Sequence, residues 1–275
     1  MRRAFEQVDV FTAEPYRGNP VAVVLDGEGL GDEEMLRIAN WTNLSETTFV
    51  LPPTQDGADY RVRIFTPTLE LPFAGHPTLG TCHAWLAATG SDAREIVQEC
   101  AAGLIPLRRD AGGRLAFAAP PLTRSGPLDD ELFAQVAATL NLAPGDIVDA
   151  AWAECGPPWI AVLLRSAQDV LAVRPGYADL DIGIAGPHAP GSDVAFEVRA
   201  FFPKDGTYAE DPVTGSFNAG LATWLLGSGR AQAPYVAAQG TALGRAGRVH
   251  IDQDADGRIW VGGGTVTCVS GTIDA

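Results

Sequence analysis

The chain has 275 residues, 46% of them apolar, and a formal charge of −15. A chain this apolar can bury substantial cores and is not disordered, and its length suits two domains of ordinary size. The acidic balance argues against unaided nucleic-acid binding, which needs a basic patch for phosphates.

No run of 18 apolar residues announces a membrane span. Glu6 and Asp9 interrupt the start, "MRRAFEQVDVF", so no secretory leader is expected and the cytoplasm is the expected compartment. Cys82, Cys100, Cys155 and Cys268 are too widely spaced for a zinc ribbon or a CxxC motif, and the histidines form no HxxxH or HExxH pair, so no metal is expected. Lys204 is the only lysine, which reads as composition bias.

Along the chain, "GNPVAVVL" (Gly18–Leu25) predicts a turn followed by an apolar strand. "DEEMLRIANWTN" predicts an amphipathic helix with an acidic start. In "NLSETTFVLP", Glu46 stands at the start of a strand, and "YRVRIF" alternates as a strand with one buried face does. In "LPFAGHPTLGTCHAWL", Gly75-His76-Pro77 breaks an apolar run and a helical pattern follows at once. The Pro-rich "LAFAAPPLTRSGPLDD" can continue neither a central strand nor a helix, and marks a crossing between halves.

The second half repeats the order. "DDELFAQVAATLNL" predicts a helix, "GPPWIAVLL" (Gly156–Leu164) answers "GNPVAVVL", and "RAFFP" answers "RIFTP". "EDPVTGSFNAGLATWLL" brings Gly215-Ser216 to a helix start, with Gly220 spaced from it as Gly80 is from Gly75. Glycine-broken strands, "RIWVGGGTVTCVSGTI", close the chain. These features predict an α+β fold of two similar halves: residues 1–118, residues 119–260, and a segment 261–275 returning to the first half.

A helix start leaves backbone N–H groups without internal partners, and Gly75 and Gly215 let a ligand approach them closely. If the halves face each other, two such mouths open on one cleft and hold a small anionic molecule, with His76 and Ser216 adding side-chain contacts. The bland reading is that duplication made both glycine pairs without chemistry. Glu46 is a candidate proton carrier or a solvated glutamate. Asp211 is a candidate partner for a substrate amine or hydroxyl, or a turn-capping residue. Glu210 is expected to face solvent, and Cys82 to fill the core. Thiol bases are excluded at the mouths, because Ala74 and Thr214 stand there. Two rivals remain: a serine hydrolase using Ser216 with Asp211 and His76 or His83, although "TGSFN" is no G-x-S-x-G elbow, and a catalytically silent binding protein.

The motifs "DVFTAEPYRGNPVAVVL", "ANWTNLSETTFV", "RIFTPTLELPFAGHPTLGTCHAWL" and "RAFFPKDGTYAEDPVTGSFNAG" cover nearly the whole chain in order. On these the chain resembles the phenazine-biosynthesis PhzF-like family of the diaminopimelate-epimerase-like superfamily. The resemblance implies a pseudo-twofold duplication, each half a mixed sheet wrapped around a central helix. It also implies a homodimer, an isomerase without cofactor or metal, catalytic Glu46, His76 and Asp211, and a substrate site at Gly75, Gly215 and Ser216. Phe217 departs from the small residue common after that serine, and a ring there is expected to alter packing or pocket shape. Trp152 and Trp159 read either as ligand-side or as core residues.

Overall fold

The computed structural model describes residues 1–204 and 206–275. The elements in chain order are β1 (Arg2–Val10), β2 (Asn19–Val24), α1 (Asp32–Thr42), β3 (Glu46–Leu51), β4 (Tyr60–Phe65), β5 (Glu70–Leu71), α2 (Gly75–Thr89), β6 (Glu95–Cys100), β7 (Gly103–Arg109) and β8 (Leu115–Ala118). There follow β9 (Arg124–Pro127), α3 (Asp130–Thr139), β10 (Ile147–Glu154), β11 (Ile160–Leu164), α4 (Ala167–Ala172), β12 (Ile182–Pro187), β13 (Phe196–Lys204), β14 (Thr207–Asp211), α5 (Gly215–Gly227), β15 (Tyr235–Gln239), β16 (Gly247–Gln253), β17 (Ile259–Gly263) and β18 (Thr265–Asp274). They form two compact units, Met1–Ala118 with Gly262–Ala275, and Ala119–Val261.

The first unit runs β1 antiparallel to β2, β2 parallel to β3, and β3 antiparallel to β4. β4 then pairs antiparallel with β5 and parallel with β6, and β6 pairs antiparallel with β7. The second unit repeats this succession with β10, β11, β12, β13, β14, β15 and β16. The duplication read from the sequence is therefore a duplication of topology. β18 pairs with β1 from Arg2↔Asp274 to Val10↔Thr265, completing the first unit with the end of the chain.

Each unit winds around one helix. α2 packs on β1, β2, β3, β8 and β18; α5 packs on β10, β11 and β16. Both helices bury residues on every side, which suits a helix enclosed by a sheet rather than lying on it. The other sheet face carries the flanking helices. Met35 and Ala39 of α1 pack with Val24, Phe49 and Phe65, while Val136 of α3 and Val170 of α4 pack with Ile160, Val162, Ile182 and Ile184.

Candidate active site

The two central helices begin on matched frames. In the first unit Arg63 Nε and Nη2 donate to Glu70 Oε1 and Oε2 at 2.8 and 2.6 Å. In the second, Arg199 Nε and Nη2 donate to Glu210 Oε1 and Oε2 at 2.9 and 2.7 Å. Each bidentate pair ties the strand leading towards its glycine-led helix to the neighbouring strand. A buried glutamine then holds the first turn: Gln98 Nε2 donates to Thr78 Oγ1 at 3.0 Å, and Gln239 Oε1 accepts from Asn218 Nδ2 at 2.8 Å. Gly80 and Gly220 let the helices lie close on their strands, since a Cβ would stand 2.3 Å from Val21 Cγ1 or 2.2 Å from the Ala153 carbonyl oxygen.

The first helix mouth holds a carboxyl beside an imidazole. Glu46 opens β3, which alternation orients by placing Thr48 against α2; Thr81 Oγ1 donates to Thr48 Oγ1 at 2.8 Å. Glu46, two residues earlier, meets the α2 residue His76, with Oε2 3.1 Å from Nε2. Both side chains are shielded, with 14% and 5% of their areas exposed, so a proton held here is largely kept from water. Burial pushes the His76 pKa down to about 3, against an opposing backbone hydrogen bond to Pro20. The contact therefore joins Glu46 to a neutral ring. The other ring nitrogen, Nδ1, lies 3.3 Å from Asn19 Nδ2, and Asn19 is fully buried. Gly75 begins α2, and Ala74 before it supplies no side-chain cap. Cys82 is fully buried in the same helix, and burial pushes its thiol up to about 12, so it is no thiolate base.

The second mouth is built differently. Asp211 ends β14 and accepts from Thr214 Oγ1 at 2.6 Å. Gln239 Oε1 also accepts from Thr214 N, while its Nε2 donates to Thr214 Oγ1. Gly215 begins α5, and the next residue, Ser216, accepts from Trp159 Nε1 at 3.1 Å through its Oγ.

One expectation changes, one open reading is narrowed, and a rival loses support. Glu210 does not face solvent: it is clamped by Arg199, with 11% of its side chain exposed. Phe217 is fully buried with its ring against Gly183, where a Cβ would stand 2.1 Å from it, so it fills the unit's core. The serine and histidines that the hydrolase rival would use have other partners. Ser216 bonds Trp159, His76 meets Glu46 and Asn19, and both nitrogens of His83 meet Thr265 and Thr267. Sequence reasoning missed Asn19, Gln98 and Gln239. The early signal for Gln239 is a polar residue ending an apolar strand, whereas Gln98 lies inside β6 between Val97 and Glu99 and gives none.

Among the described residues no group of three or more His, Cys, Asp or Glu could hold a metal ion. No helix among them is long and apolar enough to cross a membrane. A family model for phenazine biosynthesis-like proteins matches residues 8–271. The chain belongs to this family. The PhzF-like chain is 37% identical to antisense-enhancing sequence 1 of Schizosaccharomyces pombe, covering 98% of this chain and 97% of that one. It is 35% identical to a trans-2,3-dihydro-3-hydroxyanthranilate isomerase of Pseudomonas aeruginosa, covering 91% and 90%. Its fold is that of a solved PhzF-family protein from Enterococcus faecalis, at 25% identity, TM-score 0.81 and full coverage of both chains.

Proposed function

We propose that this PhzF-like protein is a cofactor-independent isomerase that moves a proton between carbons of a small unsaturated, cyclic amino or hydroxy carboxylate. The observation that carries the reading is the shielded Glu46–His76 contact at the start of α2. Relatives named as trans-2,3-dihydro-3-hydroxyanthranilate isomerases support it. Glu46 takes the activated proton from a carbon beside a double bond, and the electron pair left behind spreads through the conjugated system. His76, kept neutral by burial, and the N–H groups opening α2 stabilise that charge as hydrogen-bond donors. Glu46 then returns the proton to another carbon, so substrate and product have the same composition. The substrate carboxylate is assigned to Gly215 and Ser216, and its amino or hydroxyl group to Asp211. The shielding of Glu46 limits exchange of the carried proton with water.

The test is proton NMR in D2O, starting with trans-2,3-dihydro-3-hydroxyanthranilate and continuing through related unsaturated cyclic carboxylates. Wild type should isomerise one of them. Glu46→Gln should bind it and lose at least about a hundredfold in turnover, the usual scale of a lost acid–base group. Full turnover by Glu46→Gln refutes the proton-carrier role. Binding to wild type without any proton movement at carbon points instead to a silent binding protein.

A further inference from the structure

The duplication singles out one more carboxyl group. Glu46 lies in register beside Val21 of β2. Trp159 takes Val21's place in the second unit: "GPPWIAVLL" answers "GNPVAVVL", a Cβ at Gly80 would touch Val21, Val10 and Val8, one at Gly220 would touch Ala153, and Ala153 pairs with Trp159 as Val8 pairs with Val21. Ile160 is in register with Ile182, and Ile160 N donates to the Asp181 carbonyl at 2.9 Å. Asp181 thus lies beside Trp159 where Glu46 lies beside Val21. The faces agree as well. Thr48, two residues after Glu46, bonds α2, and Gly183, two residues after Asp181, carries the Phe217 ring of α5. Alternation therefore puts Asp181 on the α5 side of the sheet, next to the indole that donates to Ser216.

We propose that Asp181 is the second unit's counterpart of Glu46, a carboxyl whose charge sets how strongly the mouth of α5 holds a carboxylate. This rests on the assignment of the substrate carboxylate to Gly215 and Ser216. Burial first, and then neighbouring Asp179, push the Asp181 pKa up to about 6. Below that pH the group is neutral and can donate a hydrogen bond to an anion; above it, its charge repels one. The surrounding groups allow this. The first turn of α5, Gly215 to Asn218, has no ionisable side chain, and Trp159 on β11 is neutral. β14 contributes Asp211 and Tyr208, whose hydroxyl donates to the Leu180 carbonyl and whose own pKa is raised by burial and by Asp181. β14 also carries Glu210, clamped by Arg199 of β13; β13 further carries Glu197, 3.1 Å from His188, and Lys204 at its far end.

Two NMR measurements on the full chain test this. The first follows the Trp159 indole N–H, assigned with Trp159→Phe. It should shift with a midpoint near pH 6 in wild type, lose that titration in Asp181→Asn and regain one in Asp181→Glu. A resonance that stays flat, or titrates unchanged in Asp181→Asn, overturns the placement. The second uses benzoate as a bare carboxylate probe, read at the Gly215 and Ser216 amides. Affinity should fall about fivefold between about pH 5 and about pH 7.5 in wild type, the scale of one like charge across a short, partly shielded distance. In Asp181→Asn it should hold level. Equal affinity at both pH values in wild type overturns the role of Asp181 alone. Amides that benzoate never moves overturn this proposal and the carboxylate assignment together.

Discussion

Burial keeps His76 neutral, and that burial has a cost that acid reveals. In the unfolded chain an imidazole titrates at about 6.5, whereas in the fold burial holds it to about 3. Between those values the unfolded state binds a proton that the native state does not, so stability is full above the upper value and declines as pH falls towards the lower one. His76→Gln should lose less stability than wild type between about pH 6.5 and pH 4, as read by urea midpoints. Parallel losses would show that His76 is protonated in the fold. At this scale the places of Glu46 and His76 were legible, because the one opens a strand and the other is the second residue of a glycine-led helix. Glu210 was misread because its partner, Arg199, is eleven positions away on another strand. The choice at Phe217 between packing and pocket shape needed the fold: its ring is buried in the core, with its centroid 5.5 Å from that of Trp159.

The elements around each helix mouth are matched in form but not in exposure, and that difference is measurable. Arg199 and Glu210 are 5% and 11% exposed, and Arg199 Nη1 also satisfies the carbonyls of Val170 and Val173. Arg63 is 20% exposed, and its partners Glu70 and Asp32 are 35% and 83% exposed. Arg199→Ala leaves a buried carboxylate and should cost about 3–5 kcal/mol; Arg63→Ala should cost no more than about 1 kcal/mol. Equal losses in denaturant unfolding would contradict this account of the clamps. The close-packing glycines differ similarly. An alanine at position 220 meets a backbone carbonyl, whereas one at position 80 meets the tip of a valine side chain. Gly220→Ala should therefore be the costlier of the two, within the range of about 1–3 kcal/mol typical of overpacking. The sequence announced the glycines by their common spacing, but not what they lie against, because Ala153 precedes Gly220 by a long stretch of chain.

For the molecule as a whole, duplication is the main organising fact, and the two copies differ at the mouths of their central helices. Ala74 and Thr214 precede the same glycine, and His76 and Ser216 follow it, on frames whose arginine–glutamate and glutamine ties were retained. The halves could be read in the sequence because turn, strand and helix signals recur in one order. The counterpart relation of Glu46 and Asp181 could not, since it depends on strand register and no shared motif surrounds the two residues. The last strand ties the end of the chain to its beginning: β18 is paired along the full length of β1. Ending the chain after Gly263 should therefore speed amide exchange in β1 and β2 and leave β11 and β12 unchanged. Unchanged protection in β1 would mean that the first unit holds without that strand.

The central claim is that Glu46 carries hydrogen between substrate carbons, and the most direct measurement is a crystal structure of Glu46→Gln with trans-2,3-dihydro-3-hydroxyanthranilate bound. The account predicts the acidic carbon within about 3.5 Å of the residue 46 side chain, the distance of a near-attack geometry, with His76 alongside. A ligand seated with no carbon near residue 46 would contradict it.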